Sequence, residues 1–339
     1  MRGFPTFAAL AASSTILSPP RLQPVSMTTA LASVDGNVTA IGGDHAWLSQ
    51  WYPACFAAGV EAETLVPVTI FERDFVLWRD DTGNISCLKD ECPHRLAPLS
   101  EGRIATDEDG KQRIECSYHG WQFSGCGRCT LLPQLDEGKP ILSLYDCQSQ
   151  PCQVSQGIVY IFMGDKARAS AVPVPTVPEL DDPTWLYEQD YMRDLPYDYT
   201  TLCENIIDPS HVPVSHHGTS QGNRALAQPL PISLSRDPPL GFTGETEGPL
   251  HGSSRLSLSQ QKVTQTVQFT APSLLSYKFS VGAGDACALF YPIPVARGRS
   301  RVLVRRARNF ATDRKMGPAE LVAKHLENNV RMARSCLPP

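Results

Sequence analysis

Apolar and polar positions alternate with period two through much of the chain between residues 66 and 310. Such alternation predicts half-buried antiparallel strands. Residues 66–71, 75–79 and 85–89 are runs of this kind, and the turn-forming cluster 80–84 joins the second to the third as a hairpin. Pro67 has no N–H for a central ladder, so the first run is expected at a sheet edge or at a strand start. A second polar turn, 106–111, separates 102–104 from 113–115. Residues 157–163 are almost uniformly apolar and read as a buried closing strand. Farther on, 242–246, 262–269, 274–280, 286–295 and 300–310 predict a larger sheet. Helical spacing is confined to a few places. Asn205, Asp208 and His211 step by three and can share one helical face, and 320–334 forms a candidate helix with Leu321, Val322 and Leu326 apolar. The pattern predicts an α+β fold that is mostly antiparallel sheet.

Composition divides this pattern into parts. With 339 residues the chain is long enough for two domains. The run 169–178, with Pro173, Pro175 and Pro178, reads as an extended connector. It places a first domain at 45–165, a linker at 166–183 and a second domain at 184–339. The first 34 residues hold Arg2 and Arg21, no acidic residue, and many Ser, Thr, Ala and Pro. Residues 1–40 therefore resemble a plastid transit peptide, with a secretory signal as the rival reading because 7–12 is a short apolar patch. A net charge of −5 offers no basic surface for nucleic acid. No run of 18 apolar residues is present. The 11 cysteines are odd in number and irregularly spaced, which argues against a disulfide framework.

Cysteine and histidine spacing supplies the chemistry. Cys92-Pro93-His94 and Cys116-Ser117-Tyr118-His119 are separated by 21 residues. Two Cys-His pairs of this form suit a [2Fe–2S] cluster whose one iron takes two thiolates and whose other takes two imidazoles. Zinc is the alternative for two Cys and two His, but zinc pairs are usually of like ligands and more widely spaced. Cys126-Gly127-Arg128-Cys129 is a Cys-x-x-Cys without the strand-helix context of a thioredoxin-like pair, so it reads as two ordinary thiols before it reads as a redox switch. Downstream, Asn205, Asp208, His211 and His216 form Asn-x-x-Asp-x-x-His-x₄-His. His211 and His216 supply the imidazole half of a two-His, one-carboxylate Fe(II) site, with Pro213 expected to bend the helix and return His216 to it.

The stretches 92–103, 118–123 and 204–213 resemble Rieske non-haem iron oxygenases, and within them the group of pheophorbide a oxygenase and chlorophyllide a oxygenase. That resemblance implies an antiparallel Rieske domain followed by a helix-grip (START-like) catalytic domain. It implies Cys92, His94, Cys116 and His119 on the cluster, and His211 and His216 on a mononuclear Fe(II). Asp208 would bridge an iron histidine to a cluster histidine of a neighbouring subunit in a homotrimer, and Asn205 would lie near the iron. Reduced ferredoxin, O2 and a chlorophyll-derived tetrapyrrole or other bulky apolar substrate would be the partners, in chlorophyll breakdown. Full-length members of the group also carry C-terminal membrane anchors. In this family a later helix brings the third iron ligand. Glu320 and Glu327 are the acids offered here, neither in the expected Asp setting, so the catalytic domain is expected to be incomplete or divergent at its C-terminal end. A plastid electron-transfer protein with an inactive iron site is the competing expectation. Arg301, Arg305, Arg306 and Arg308 are expected on the solvent face of their strand, with a substrate carboxylate as the rival role.

Overall fold

The computed structural model describes residues 47–312 except 81, 218–222, 237–240 and 250–261. The transit-peptide segment, the candidate helix at 320–334 and Cys336 lie outside the described residues. Strands β1 (Trp51–Phe56), β2 (Val66–Ile70), β3 (Arg73–Arg79), β4 (Ile85–Lys89), β5 (Arg103–Thr106), β6 (Gln112–Glu115), β7 (Gln122–Phe123), β8 (Cys129–Leu131), β9 (Cys152–Ser155) and β10 (Ile158–Phe162) build three small antiparallel sheets. Their orders are β1-β10-β9, β2-β3-β4 and β5-β6-β7-β8. The alternating pattern explains the pairings. Pro67 sits on β2, an edge strand, opposite Val76. Asp80 shapes the β3–β4 turn by accepting hydrogen bonds from the N–H groups of Thr82 and Asn84 at 3.1 and 2.8 Å. The apolar run of β10 lies between β1 and β9, and all five of its residues are buried.

A seven-stranded antiparallel sheet follows, in the order β11 (Leu186–Leu195), β17 (Arg299–Arg308), β16 (Gly284–Ala296), β15 (Leu274–Val281), β14 (Lys262–Thr270), β13 (Gly241–Pro249) and β12 (Ser233–Arg236). Helix α1 (Tyr199–Ile207) packs on β15, β16 and β17 through Leu202, with Val302 and Val304 in the same apolar cluster. A short helix α2 (Val212–Ser215) comes next. The fold is thus α+β with sheet dominant, a small-sheet half followed by a large sheet carrying a helix.

Arg301, Arg305 and Arg308 of β17 are not a solvent face. Strand β11 escapes the alternation pattern because it reads Leu-Tyr-Glu-Gln-Asp-Tyr-Met-Arg-Asp-Leu. Its acids add ion pairs to the main-chain ladder with β17. Asp194 takes Arg301 at 2.6 Å, Asp190 takes Arg305 at 2.6 Å and Glu188 takes Arg308 at 2.7 Å. Registry of Asp190 with Arg305 and Asp194 with Arg301 lets charge complementarity stand in for apolar pairing.

Arg305 does more than close this edge. Its side chain is only 6 % exposed. The guanidinium forms two parallel bonds to Asp190 and donates a third to the Gln156 carbonyl, in the turn between β9 and β10. The Phe56 and Tyr187 rings lie 5.5 and 5.0 Å from it. Gln156 in turn exchanges hydrogen bonds with the main chain of Val177, at 2.9 and 2.8 Å. Ala169, Val177 and Leu180 are buried in the core shared by both halves. The Pro-rich segment is therefore a packed strap rather than a loose tether.

Removing the carboxylate charge would leave a guanidinium buried and uncompensated. Asp190→Asn is expected to cost about 2–3 kcal/mol, toward the low side of the range for breaking a buried pair because Asp190 itself is partly exposed. Chemical denaturation checks this, and a loss below ~0.5 kcal/mol, the usual ceiling for a surface substitution, would show the pair to be peripheral.

Candidate metal centres

The first centre is built on two loop tips. Leaving β4, the chain turns so that the Cys92 N–H donates to the Ala97 carbonyl at 2.8 Å and the Leu96 N–H returns to the Cys92 carbonyl at 2.8 Å. Leu96 takes a left-handed conformation to allow this return (φ 58°). The second tip repeats the design: Cys116 N–H donates to Trp121 O at 2.8 Å, and Gly120 N–H to Cys116 O at 3.0 Å. Gly120 has φ 74°, and a Cβ there would lie 3.3 Å from the Pro133 ring, so glycine relieves strain on both counts. The β5–β6 hairpin between the tips brings them face to face.

Cys92 and Cys116 are both 2 % exposed. Burial, with the Cys116 thiol nearby, pushes the Cys92 thiol up to about 11. Neighbouring buried sulfurs become thiolates when a cation takes up their charge, which is what an iron does. The His94 and His119 rings lie 4.5 Å apart, the first exposed and the second partly so. The donor set fits a cluster: inner thiolates for one iron and outer imidazoles for the other. Trp121 lies parallel on His94 at 4.7 Å and 3°. Its indole N–H donates to Gln134 Oε1 at 3.2 Å, and Gln134 Nε2 donates to the His119 carbonyl at 2.9 Å. Gln134 thus braces the second loop at both His119 and Trp121, and through the Trp121 ring supports His94 of the first. Nothing in the 92–119 spacing points to it, because it lies 15 residues past His119 and belongs to no motif. Phe123 is fully buried in the core beneath the tips.

At the second centre the helix ends sooner than its spacing predicts. Helix α1 stops at Ile207, Asp208 is extended (φ −85°, ψ 100°), and α2 begins at Val212. Pro209 breaks the helix, and Pro213 lies in the first turn of α2, where a missing N–H costs nothing. Asn205, Asp208 and His211 therefore do not share one helix. Asn205 is half-buried on the last turn of α1. The Asp208 carboxylate takes the N–H of Ser210 at 2.8 Å and the Ser210 hydroxyl, both on Oδ1. Its Oδ2 lies 3.7 Å from His211 Nδ1, which is also 2.5 Å from the Asp208 carbonyl oxygen. His211 and His216 stand at the two ends of α2, with their rings 5.0 Å apart at 75°. Burial, and then the neighbouring His211, push His216 down to about 4. Its imidazole is neutral near pH 7, the form that ligates metals. His217 is engaged otherwise, its Nδ1 accepting the Arg224 N–H at 3.0 Å. Tyr277, reaching from β15, donates its hydroxyl to the Ile206 and Ile207 carbonyls at 2.6 and 3.2 Å.

Among the described residues, no three His, Cys, Asp or Glu side chains are grouped to hold a single metal ion. The cluster needs no such trio, since each of its irons takes two protein ligands. For a mononuclear site, His211 and His216 are the pair these residues provide. Glu320 and Glu327 lie outside the described residues.

Residues 50–154 match the Rieske [2Fe-2S] domain family. The chain carries a Rieske domain. Pheophorbide a oxygenase of Arabidopsis thaliana is 34% identical over 295 residues, covering 82% of this chain and 52% of that one. Protein TIC 55 of the same plant is 32% identical over 268 residues, covering 77% and 47%. The Rieske chain thus spans about half the length of these curated relatives. Both are chloroplast proteins, in agreement with a plastid location. Among solved structures, dicamba monooxygenase bound to dicamba superposes with a TM-score of 0.69 at 20% identity, over 85% of this chain and 87% of that one, and shows the shared fold. The Rieske domain implies a [2Fe–2S] cluster, and the oxygenase relatives imply a mononuclear iron.

The Cys-x-x-Cys of this Rieske domain is split by its surroundings. The Ser124 hydroxyl, 3.2 Å away, and the Arg128 N–H hold the exposed Cys126 thiol below its ordinary range. Burial pushes the Cys129 thiol up to about 12. Iodoacetamide on the native protein is expected to label Cys126 well ahead of Cys55, Cys87, Cys129, Cys147, Cys203 and Cys287, all buried. Peptide mapping by mass spectrometry checks this, and equal rates at Cys126 and Cys129 would contradict the difference in environment.

Proposed function

We propose that this chain is a Rieske-type oxygenase of the plastid. It takes electrons from reduced ferredoxin and uses O2 on a chlorophyll-derived tetrapyrrole of the pheophorbide a kind, or on another bulky apolar substrate. The observation that carries the reading is the presence on one chain of two separate histidine-bearing centres: the buried thiol pair with its outer imidazoles, and the Asp208–His211–His216 turn. The relatives' names supply the substrate class.

In this reading Cys92 and Cys116 hold one cluster iron, His94 and His119 the other, and His211 with His216 the mononuclear Fe(II). The cluster supplies single electrons and the mononuclear iron supplies O2 activation. The chain's own residues set the conditions. Trp121 and Gln134 fix the planes of the outer histidines, leaving the His94 edge open to a partner. Ser210 holds one carboxylate oxygen of Asp208, and the other faces His211. At 48% side-chain exposure the carboxylate still has room to accept an N–H from a second imidazole. A cluster histidine of the next subunit in a homotrimer would be that donor. Asn205 stands one helical step before Asp208, close to the iron side of the turn. Domain boundaries near 45–165 and 184–339, with the packed strap between, fit this division of labour.

The second reading is a plastid electron-transfer protein with a working cluster and an incomplete iron site. The lack of a third acidic ligand among the described residues favours it. Iron analysis of the anaerobically reconstituted protein separates the two. Three irons per chain are expected for the oxygenase, and two would decide for the electron carrier. Asp208→Asn tests the path itself. With ferredoxin, O2 and pheophorbide a supplied, product formed per cluster oxidised is expected to fall ~10–100-fold. Unchanged coupling would remove Asp208 from the reaction.

A further inference from the structure

Helix α1 ends in a way that leaves its last carbonyls short of donors. In a continuing helix the residue four places on would donate to each C=O. Pro209 has no N–H to give to Asn205 O. The Ser210 N–H, in register for Ile206 O, turns instead to Asp208 Oδ1 at 2.8 Å. Residues 209–211 form a turn, closed by the Val212 N–H on the Pro209 carbonyl at 3.3 Å, and α2 starts anew at Val212. The carbonyls of Ile206 and Ile207 thus depend on a donor from elsewhere. It comes from the large sheet. Tyr277, 70 residues farther along the chain and only 7 % exposed, donates to both, at 2.6 and 3.2 Å.

Its own position is tightly specified. It stands on β15 between Val267 of β14 and Ala288 of β16. Its ring stacks on Phe279 at 6.0 Å and 12°, and meets Phe290 edge-on at 6.2 Å. One hydroxyl therefore anchors the two peptides that immediately precede Asp208. Everything the turn offers a metal follows within nine residues: Asp208, His211 and His216. The bonds of Asp208, its N–H to the Glu204 carbonyl at 3.2 Å and its carboxylate to Ser210, are all local to the helix end, so an error at Ile207 is carried directly into the carboxylate and the first imidazole.

We propose that Tyr277 is a positioning residue for the mononuclear iron site, setting the direction in which Asp208 and His211 leave the helix. This rests on the reading of His211 and His216 as iron ligands. Tyr277 touches neither metal nor substrate in this role. Its effect passes through the main chain of Ile206 and Ile207.

The test uses the full chain with its cluster assembled and oxidised, and Co(II) as the probe, followed by its high-spin EPR signal while the oxidised cluster is silent. Tyr277→Phe keeps the ring and its packing and removes only the hydroxyl. It is expected to weaken Co(II) binding about tenfold, the low end of the range for a residue that orients metal ligands, with the cluster's visible spectrum unchanged. Phe279→Leu disturbs the same stack without touching the helix end and is expected to leave Co(II) affinity as it was. His216→Ala abolishes the signal. Wild-type affinity in Tyr277→Phe, with binding lost in His216→Ala, would overturn the role of Tyr277 while leaving the iron site standing. Equal weakening by Phe279→Leu would overturn it too, by reducing the effect to general packing. A wild-type protein with no His216-dependent signal would overturn the iron-site reading and this proposal with it.

Discussion

A buried guanidinium fixes how the two halves of this molecule meet. Arg305 is buried, doubly bonded to Asp190, bonded to the turn of Gln156, and flanked by two aromatic rings. Its side chain is almost wholly withdrawn from solvent, so most of its charge is satisfied by protein groups. Burying such a group is unfavourable unless every partner is in place. The consequence is geometric. Strand β11, the edge of the large sheet and the β9–β10 turn must all meet at one point, or the ion is left uncompensated. Apolar packing between the halves, from Tyr52 and Ile161 to Leu289 and Leu303, tolerates small slips. The ion pair does not, which is why a charged residue in this core specifies the fit rather than merely adding to it.

The two metal centres are held by different kinds of bond. Each cluster loop closes on itself, with main-chain hydrogen bonds spanning five residues in both tips. From outside the loops, β5 and β6 bring the tips together, and Gln134 braces the second tip. The histidine turn is the reverse. Its local bonds are the Ser210 cap on Asp208 and the contact of His211 Nδ1 with a carbonyl, while the end of its helix is held by a tyrosine from another strand. A site with closed local loops keeps its geometry when the rest of the domain breathes. A site held from a distance follows the sheet that holds it.

That contrast also decides what was legible in the sequence. Cys92, His94, Cys116 and His119 stand out because local loop chemistry leaves a short, dense signature. Most strands of the large sheet are visible for a similar reason, since period-two alternation is a local property. Strand β11 was not, because its stability lies in Glu188, Asp190 and Asp194 meeting arginines more than 100 residues away. The matching intervals of Asp190 to Asp194 and Arg301 to Arg305 were the available signal, and reading the arginines alone put them in solvent. The helix break was misplaced by four residues. Spacing of three suggested one helix through His211, whereas the demand of Asp208 for the Ser210 N–H, with Pro209 between them, ends it at Ile207. Gln134 and Tyr277 had no local signal at all.

The break at Asp208 is what makes the arrangement chemically useful. Past the extended Asp208, His211 and His216 stand at the two ends of the short helix α2 with their imidazoles 5.0 Å apart, one of them buried and held neutral. The same extended residue turns a carboxylate outward, half exposed, with one oxygen fixed and the other beside His211. A continuous helix would have been more stable locally, since it would satisfy its own carbonyls. The chain gives up that local satisfaction at the one place where a carboxylate must face a histidine and the protein surface at once, and the hydroxyl of Tyr277 offsets the loss from the sheet below.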